Sequence, residues 1–430
     1  MQIAPITEAE RYKHLDVIRG FALLGILLMN IVSMGGLERS YDNPLIFGNE
    51  AALNTGIWIF LHIFMEGKMR TLFSMIFGAT IIFMTSRLEQ KSADSADIYF
   101  RRTLWLFVFG IAHAYLLFSG DILFTYAICG LFLYPFRKLK PKVLLVIAAL
   151  IIGVNSYVSY QRAAETHSII SLGKAAEKVS NNQELTDEQQ ENLDDYKDWS
   201  KYSTPTLKQM EKGARPWRGS AAEVLKARAE EVFDYHSDPI YSIGNTKYDV
   251  WCMMLVGMAL LRLGILTGEK SRGFYLKFLL IGYGAGVLIN SLTAWRIVAS
   301  QFDPYTIDLM SVTYDVGRLM IAFGHISLLI LIVQSGVLQW FTGALASIGQ
   351  TALSNYIFQS LVTSIIFTGY GFRLYGRLDY YQLYIVVIAI WIVQLIITPI
   401  WLRSFKYGPL EWVWRSLTYW KKQPMLRRYA

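Results

Sequence analysis

A chain of 430 residues that is 53% hydrophobic and 17% charged, with its apolar residues in long blocks, reads as a membrane protein and excludes a large soluble core. Its 14% aromatic content suits rings lying at headgroup level, and the net charge of +8 sits largely in short turns and the tail, so orientation and anionic lipid explain it without a nucleic-acid partner. Cys129 and Cys252 both fall inside apolar runs, and His14, His62, His113, His167, His236 and His325 lack metal-ligand spacing, so neither a disulfide framework nor a metal is expected.

The first predicted span is Leu15–Met34, which has no cleavage-site signature, so no cleavable signal peptide is expected. Asp16 and Arg19 can pair at its entry, and Asn30 lies three turns from Arg19 on the same face, about 16 Å away. Leu53–Met65 is too short to span with confidence and is followed at once by Glu66, Lys68 and Arg70. Arg101, Arg102 and the run Arg137–Lys142 belong in the cytoplasm, which requires Leu53–Ser86 to cross only once. Leu53–Met65 is therefore expected to be an outer-interface or re-entrant helix, with Glu66, Gly67 and Lys68 at outer-leaflet depth.

Thr103–Phe118 and Ile122–Phe136 follow, joined by the tight turn Ser119-Gly120-Asp121. His113 falls among apolar residues of the first and Asp121 opens the second. An imidazole is costly in lipid and should face other helices or a water-filled cavity, and a carboxylate at a helix start caps free N–H groups. Two readings fit: a base or nucleophile oriented by an acid, or a buried histidine bonded to a backbone carbonyl beside an ordinary N-cap.

Val143–Tyr160 ends the first membrane bundle (residues 1–161). Residues 162–245 are charge-rich and carry the capping boxes Thr186/Gln189 and Ser220/Glu223, so they form a helical extracytoplasmic insert, read as a solvated lid or spacer without chemistry. Asp249–Leu266, Phe274–Trp295, Val312–Val333, Ser347–Phe367 and Gln382–Leu402 form a second bundle (residues 246–403). A cytoplasmic interfacial tail (404–430) follows, in which Glu411 and Arg415 can pair at i, i+4 beside Trp412, Trp414 and Trp420. The fold predicted is an all-α polytopic integral membrane protein with about ten transmembrane helices and both termini cytoplasmic.

Polar residues inside these spans are the remaining candidates. Ser347, Thr351, Asn355, Gln359 and Thr363 recur every four residues, as a stripe that either glues helices or lines a path. Asp315 and Arg318 can pair, with His325 two turns deeper on the same helix. No nucleotide loop, hydrolase elbow or CxxC occurs.

Leu15–Ile31, Glu66–Ala79, Gly110–Leu123 and Arg218–Glu231 resemble the YeiB-like family of bacterial membrane proteins. Gly349–Ser360 and Phe405–Tyr419 resemble that family's C-terminal domain of unknown function. The opening helix is also similar to that of transmembrane acyltransferases, including the lysosomal heparan acetyltransferase. In the bacterial acyltransferases an Arg and a His hold this spacing, and here Asn30 stands in the second place.

That resemblance implies acyl transfer from a cytoplasmic acyl-CoA-like donor to an extracytoplasmic small-molecule, glycan or lipid acceptor, in a bacterial inner membrane. His113 would be the base and Asp121 its orienting acid. Asn30 would hold a carbonyl or oxyanion, and Arg19 the donor phosphates, with His325, Asn355 and Gln359 as further donor-binding candidates. A transporter or lipid-handling protein without catalysis is the alternative, and a non-catalytic assembly protein, including a homodimer, a third.

Overall fold

A computed structural model describes residues 12–48, 50–90, 95–181, 183–237 and 246–427. The described residues form helices and connecting turns, and the only strand-like pairing among them is an isolated bridge between Phe405 and Leu426. In chain order the helices are α1 (Lys13–Gly35), α2 (Ala51–Phe64), α3 (Lys68–Gln90), α4 (Ser95–Leu116), α5 (Leu123–Leu133), α6 (Pro141–Ser180), α7 (Asp187–Ser203), α8 (Leu207–Ala214) and α9 (Ala221–Ser237). They continue with α10 (Thr246–Arg262), α11 (Arg272–Ala299), α12 (Pro304–Met310), α13 (Tyr314–Ser335), α14 (Gln339–Gln350), α15 (Ala352–Phe367), α16 (Tyr380–Ser404) and α17 (Pro409–Thr418). The chain is thus an all-α polytopic membrane protein. Six segments among the described residues are long and apolar enough to cross a bilayer: 13–35, 51–90, 141–180, 272–299, 304–335 and 380–404. The count of about ten therefore rests on α4, α5, α10 and α15 as well, which are shorter or carry charge at one end.

The face of the bundle where α1 begins is here called proximal, and the face where it ends distal. Helix α1 runs through the centre, with Val17, Ile18, Ala22, Leu23 and Ile31 fully buried. It crosses α14 at Gly20 and Gly349. A Cβ on Gly349 would stand 2.0 Å from the Asp16 carbonyl oxygen, so the two backbones touch directly.

The apolar path is broken at two places, the first where a separate re-entrant or interfacial helix is expected and the second inside a span predicted to be continuous. Residues 51–90 make one apolar path, interrupted where α2 ends and α3 begins. Gly67 turns there with φ +70°, and a Cβ on it would lie 2.1 Å from the Tyr314 hydroxyl. The end of α2 enters the bundle instead of lying across its surface: the Phe64 carbonyl accepts from His325 Nε2 at 2.8 Å, and His325 is about 16 Å along α13 from Tyr314. The second break corrects the predicted span Ser347–Phe367, which is α14 and α15 joined at Thr351. The new N-terminus is capped from the tail. Glu411 accepts from the Ser354 N–H at 3.0 Å and from its hydroxyl at 2.5 Å, satisfying a helix start that would otherwise be orphaned.

The tail also departs from expectation. Because both Glu411 oxygens serve Ser354, the i, i+4 pairing with Arg415 is replaced by a tertiary cap, and Arg415 lies over the Tyr407 ring. One face of α17 packs against the bundle. Its Trp414 indole donates to the Arg102 carbonyl of α4 at 2.9 Å, and the Arg102 guanidinium stacks on that same ring at 3.9 Å.

Residues 161 and 162, the predicted boundary of the insert, lie inside the unbroken helix α6, so the insert begins as the continuation of a span. Both predicted capping boxes form, and a third, Thr206 with Gln209, joins them. Hydrogen bonds from the Ser220 N–H and hydroxyl hold the Glu223 carboxyl below the usual carboxylate range. The insert packs over the turn between α4 and α5. Ser119 donates to Glu231 at 2.6 Å, and Arg228 donates to the Leu116 carbonyl.

Candidate active site

Three helices bring polar groups to one level of the bundle. In α4, His113 is buried and its Nδ1 lies 2.7 Å from an Asp121 oxygen. The other Asp121 oxygen accepts from the Phe124 N–H at 2.6 Å, so the carboxylate caps the start of α5 while it orients the ring. A carboxylate only accepts, so an Nδ1 proton faces Asp121, and in the neutral imidazole Nε2 is left as the acceptor. What it accepts is the hydroxyl of Ser360 in α15, at 2.8 Å and fully buried. The Tyr356 ring packs against the imidazole, with centroids 4.9 Å apart.

On the proximal side of this triad lies a cavity of about 220 Å³. Its mouth carries Arg19, Arg87, Arg102 and Arg415, and its interior is apolar, running past Leu23, Ile26, Phe73 and Phe77 to Tyr126, Ile122 and Tyr356. From Asp16 to Ile26 it follows α1 for about 15 Å. Arg19 is held at the mouth by Asp16 at 3.0 Å, the Thr80 hydroxyl at 3.1 Å and the Gly349 carbonyl at 3.2 Å. On the distal side a small pocket is lined by Ser33, Phe118, Thr363 and Ser364 and closed by Trp217, Arg228 and Glu231 of the insert. The insert therefore contributes side chains to the site, although its composition signals only solvation.

The register of each helix locates the level between the two spaces. On α4, Leu106 lines the proximal cavity, Leu117 follows the helix end at the distal pocket, and His113 falls between them. On α15, Tyr356 lines one, Thr363 and Ser364 the other, and Ser360 separates them. On α1, Ile26 lines one, Ser33 and Met34 the other. Asn30 lies between these on the same helical face, half-buried.

The remaining candidates sit elsewhere. The Asn355 oxygen accepts from Gln394 at 2.9 Å and Thr398 at 3.1 Å, and Gln359 donates to Gln394 at 3.0 Å. Both therefore tie α15 to α16 and do not line the cavity; a buried amide is stable only where such partners exist. His325 bonds the Tyr283 hydroxyl at 2.7 Å and the Phe64 carbonyl, supporting the broken helix.

Around that break is a second polar cluster that periodicity does not single out as a site. Glu66 accepts from the Tyr314 hydroxyl at 2.8 Å and Tyr41 at 3.1 Å, and Lys68 donates to Asn290 at 2.9 Å. Asp249 pairs with Arg70 at 2.7 Å and with Arg318, and Arg318 pairs with Asp315 at 2.6 Å. A cavity of about 240 Å³ lies beside it, lined by Trp58, His62, Glu66, Asn290 and Thr293. Among the described residues no group of histidine, cysteine and acidic side chains has the arrangement of a metal site.

Comparison with known proteins agrees with the motifs. A family model described as protein of unknown function (DUF418) matches residues 260–421. The chain is 28% identical to the uncharacterized protein YxaH of Bacillus subtilis, over 99% of this chain and 98% of that protein. It is also 28% identical to an uncharacterized 39.9 kDa protein in the amylase 3′ region of Bacillus acidopullulyticus, over 98% of both. It is 27% identical to the uncharacterized protein YeiB of Escherichia coli, over 95% of this chain and 96% of that one. No solved structure matches. End-to-end similarity to YxaH and YeiB, with the family model over the C-terminal part, supports a YeiB-like family.

Proposed function

We propose that this protein transfers an acyl group through the membrane, from a cytoplasmic acyl-CoA-like donor to a small-molecule, glycan or lipid acceptor on the other side. One observation carries the reading: the hydrogen-bonded Asp121–His113 pair lies between an arginine-mouthed apolar cavity and a pocket on the opposite face. Phosphates of the donor would meet Arg19 and its neighbours, and the acyl chain would follow the apolar interior to Tyr356. His113 would take the acceptor's proton through Nε2 while Asp121 stabilises the imidazolium that forms. Asn30, at the same level, would bind the donor carbonyl or the oxyanion.

The test is free-CoA release by purified full-length protein given acetyl-CoA and a panel of sugar, amine and lipid acceptors, with donor affinity measured by calorimetry. Arg19→Ala is expected to weaken donor binding by about tenfold, the scale of one charge-assisted phosphate contact. Absence of acetyl-CoA binding to the unmodified protein would remove the donor assignment.

The orientation proposed, with both termini cytoplasmic in a bacterial inner membrane, rests on Arg and Lys placement in short loops. Cys129 and Cys252 are both buried, so an introduced cysteine can be read against a quiet background. A membrane-impermeant thiol reagent applied to intact cells is expected to label Ser180→Cys and to miss Lys140→Cys. Labelling at residue 140 would invert or break the topology.

A transport reading draws on a different feature, the broken path at Glu66–Lys68 with its buried charges, because interrupted helices line many transporter sites. It expects solute flux and no CoA release with any acceptor.

A further inference from the structure

We propose that Ser360 is the residue that carries the acyl group between the two spaces, as a covalent ester; this rests on the acyl-transfer reading of the same site. Nothing in the local sequence marks Ser360, which lies one position past the polar stripe of α15. It reaches His113 across 247 residues of chain, and the pair joins Asp121 into an Asp–His–Ser array with links of 2.7 Å and 2.8 Å.

Three features argue for a nucleophile over an ordinary buried hydroxyl. First, a serine that only needs satisfaction inside a helix bonds the carbonyl one turn back. The Ser360 hydroxyl is 3.4 Å from the Tyr356 carbonyl and 2.8 Å from His113, so the imidazole is its stronger partner. Second, the imidazole cannot turn away, because Asp121 holds its far nitrogen and is itself fixed by the Phe124 N–H. Third, Ser360 is the position of α15 that separates the cavities. Tyr356, one turn earlier, lines the arginine-mouthed space, and Ser364, one turn later, lines the opposite pocket. Those two positions are about 12 Å apart along the helix. An acceptor confined to one side and a donor confined to the other need a carrier at this level, and Ser360 is hydrogen-bonded to the base there.

In the first half-reaction Ser360 Oγ attacks the thioester carbonyl as its proton passes to His113 Nε2. The C–S bond breaks, the thiol leaves with that proton, and an acyl–Oγ ester remains. In the second, the acceptor hydroxyl or amine attacks the ester carbonyl from the distal pocket. His113 takes its proton and returns it to Oγ as the acyl–Oγ bond breaks. No oxidant or further reactant is required.

Two probes test this on the full-length protein. The first is [14C]acetyl-CoA without acceptor, quenched in acid, with mass spectrometry of the peptide spanning 352–367. The second is a fluorophosphonate, which needs only an activated serine and no acyl donor. Both are expected to modify Ser360 in the unmodified protein, and labelling should fall at least tenfold in His113→Ala. Ser360→Ala should lower acceptor-dependent CoA release by about 100-fold or more while leaving acetyl-CoA affinity within about twofold. That split separates a nucleophile from a packing residue, since a packing loss would weaken binding as well. CoA release that persists in Ser360→Ala, with no adduct in the unmodified protein, would overturn the inference and leave acyl transfer standing. Fluorophosphonate labelling of Ser360 in a protein that neither binds nor cleaves acetyl-CoA would overturn acyl transfer and the acyl-carrier role with it, leaving an activated serine of other use. Failure of both probes to modify Ser360 would end the nucleophile assignment.

Discussion

His113→Ala is expected to reduce acceptor-dependent CoA release by 100- to 10,000-fold, the range typical of losing a positioned general base. Donor affinity should be nearly unchanged, because the phosphates are assigned to the mouth around Arg19 and the ring lies at the opposite end of the apolar cavity. The Arg19 variant should show the converse, weaker binding with the Asp121–His113–Ser360 array intact. Asp121→Asn should fall between: the ring keeps a hydrogen-bonding neighbour but loses the charge that favours its protonated form. A His113→Ala protein that releases CoA at the original rate would remove His113 from the mechanism.

Asp249→Leu is expected to produce the largest loss of stability among single changes in the membrane part. The carboxylate lies between Arg70 and Arg318, and the Arg318 and Asp249 side chains are 1% and 5% exposed. Removing it leaves the buried Arg318 guanidinium beside that of Arg70, whose side chain is 33% exposed, with Asp315 the acidic partner still paired to Arg318. Breaking a buried ion pair by deleting one member typically costs about 3–5 kcal/mol. A drop of several degrees in the midpoint of thermal unfolding in detergent, or failure to accumulate, should follow. The double variant Asp249→Leu with Arg318→Leu should recover part of that loss, since the cost lies in the unpaired charge more than in the missing contact. If Asp249→Leu unfolds at the original temperature, the cluster does not hold α3, α10 and α13 together.

Part of this site could be read directly from the chain. His113 and Asp121 are eight residues apart across a tight turn, so local geometry alone brings them together, and the structure closes that bond. Arg19 and Asp16 pair for the same reason, one turn apart on α1. Ser360 was out of reach because its partnership is purely tertiary, and a serine beside a regular polar stripe carries no signal of its own. The break at Thr351 escaped for a related reason, whereas the one after α2 was legible from the charges that follow Met65. Hydropathy registers side chains, whereas a broken helix is tolerated when distant groups satisfy its exposed backbone. Here those groups are His325 at the end of α2 and Glu411 at the start of α15. The i, i+4 rule that paired Glu411 with Arg415 is local, and it lost to a buried cap on another helix.

The unbroken course of α6 has a mechanical meaning. A straight helix transmits tilt and rotation without absorbing them, so its outer half is a rigid stalk of about 30 Å rooted among the spans. Pivoting the root by about 5° would sweep the top by roughly 3 Å, comparable to the length of one hydrogen bond. The insert rides on that stalk, and the same insert supplies Trp217, Arg228 and Glu231 to the distal pocket. Of the insert's helices α7 packs along that stalk and would follow its lean first, whereas α9 keeps Arg228 and Glu231 against α4.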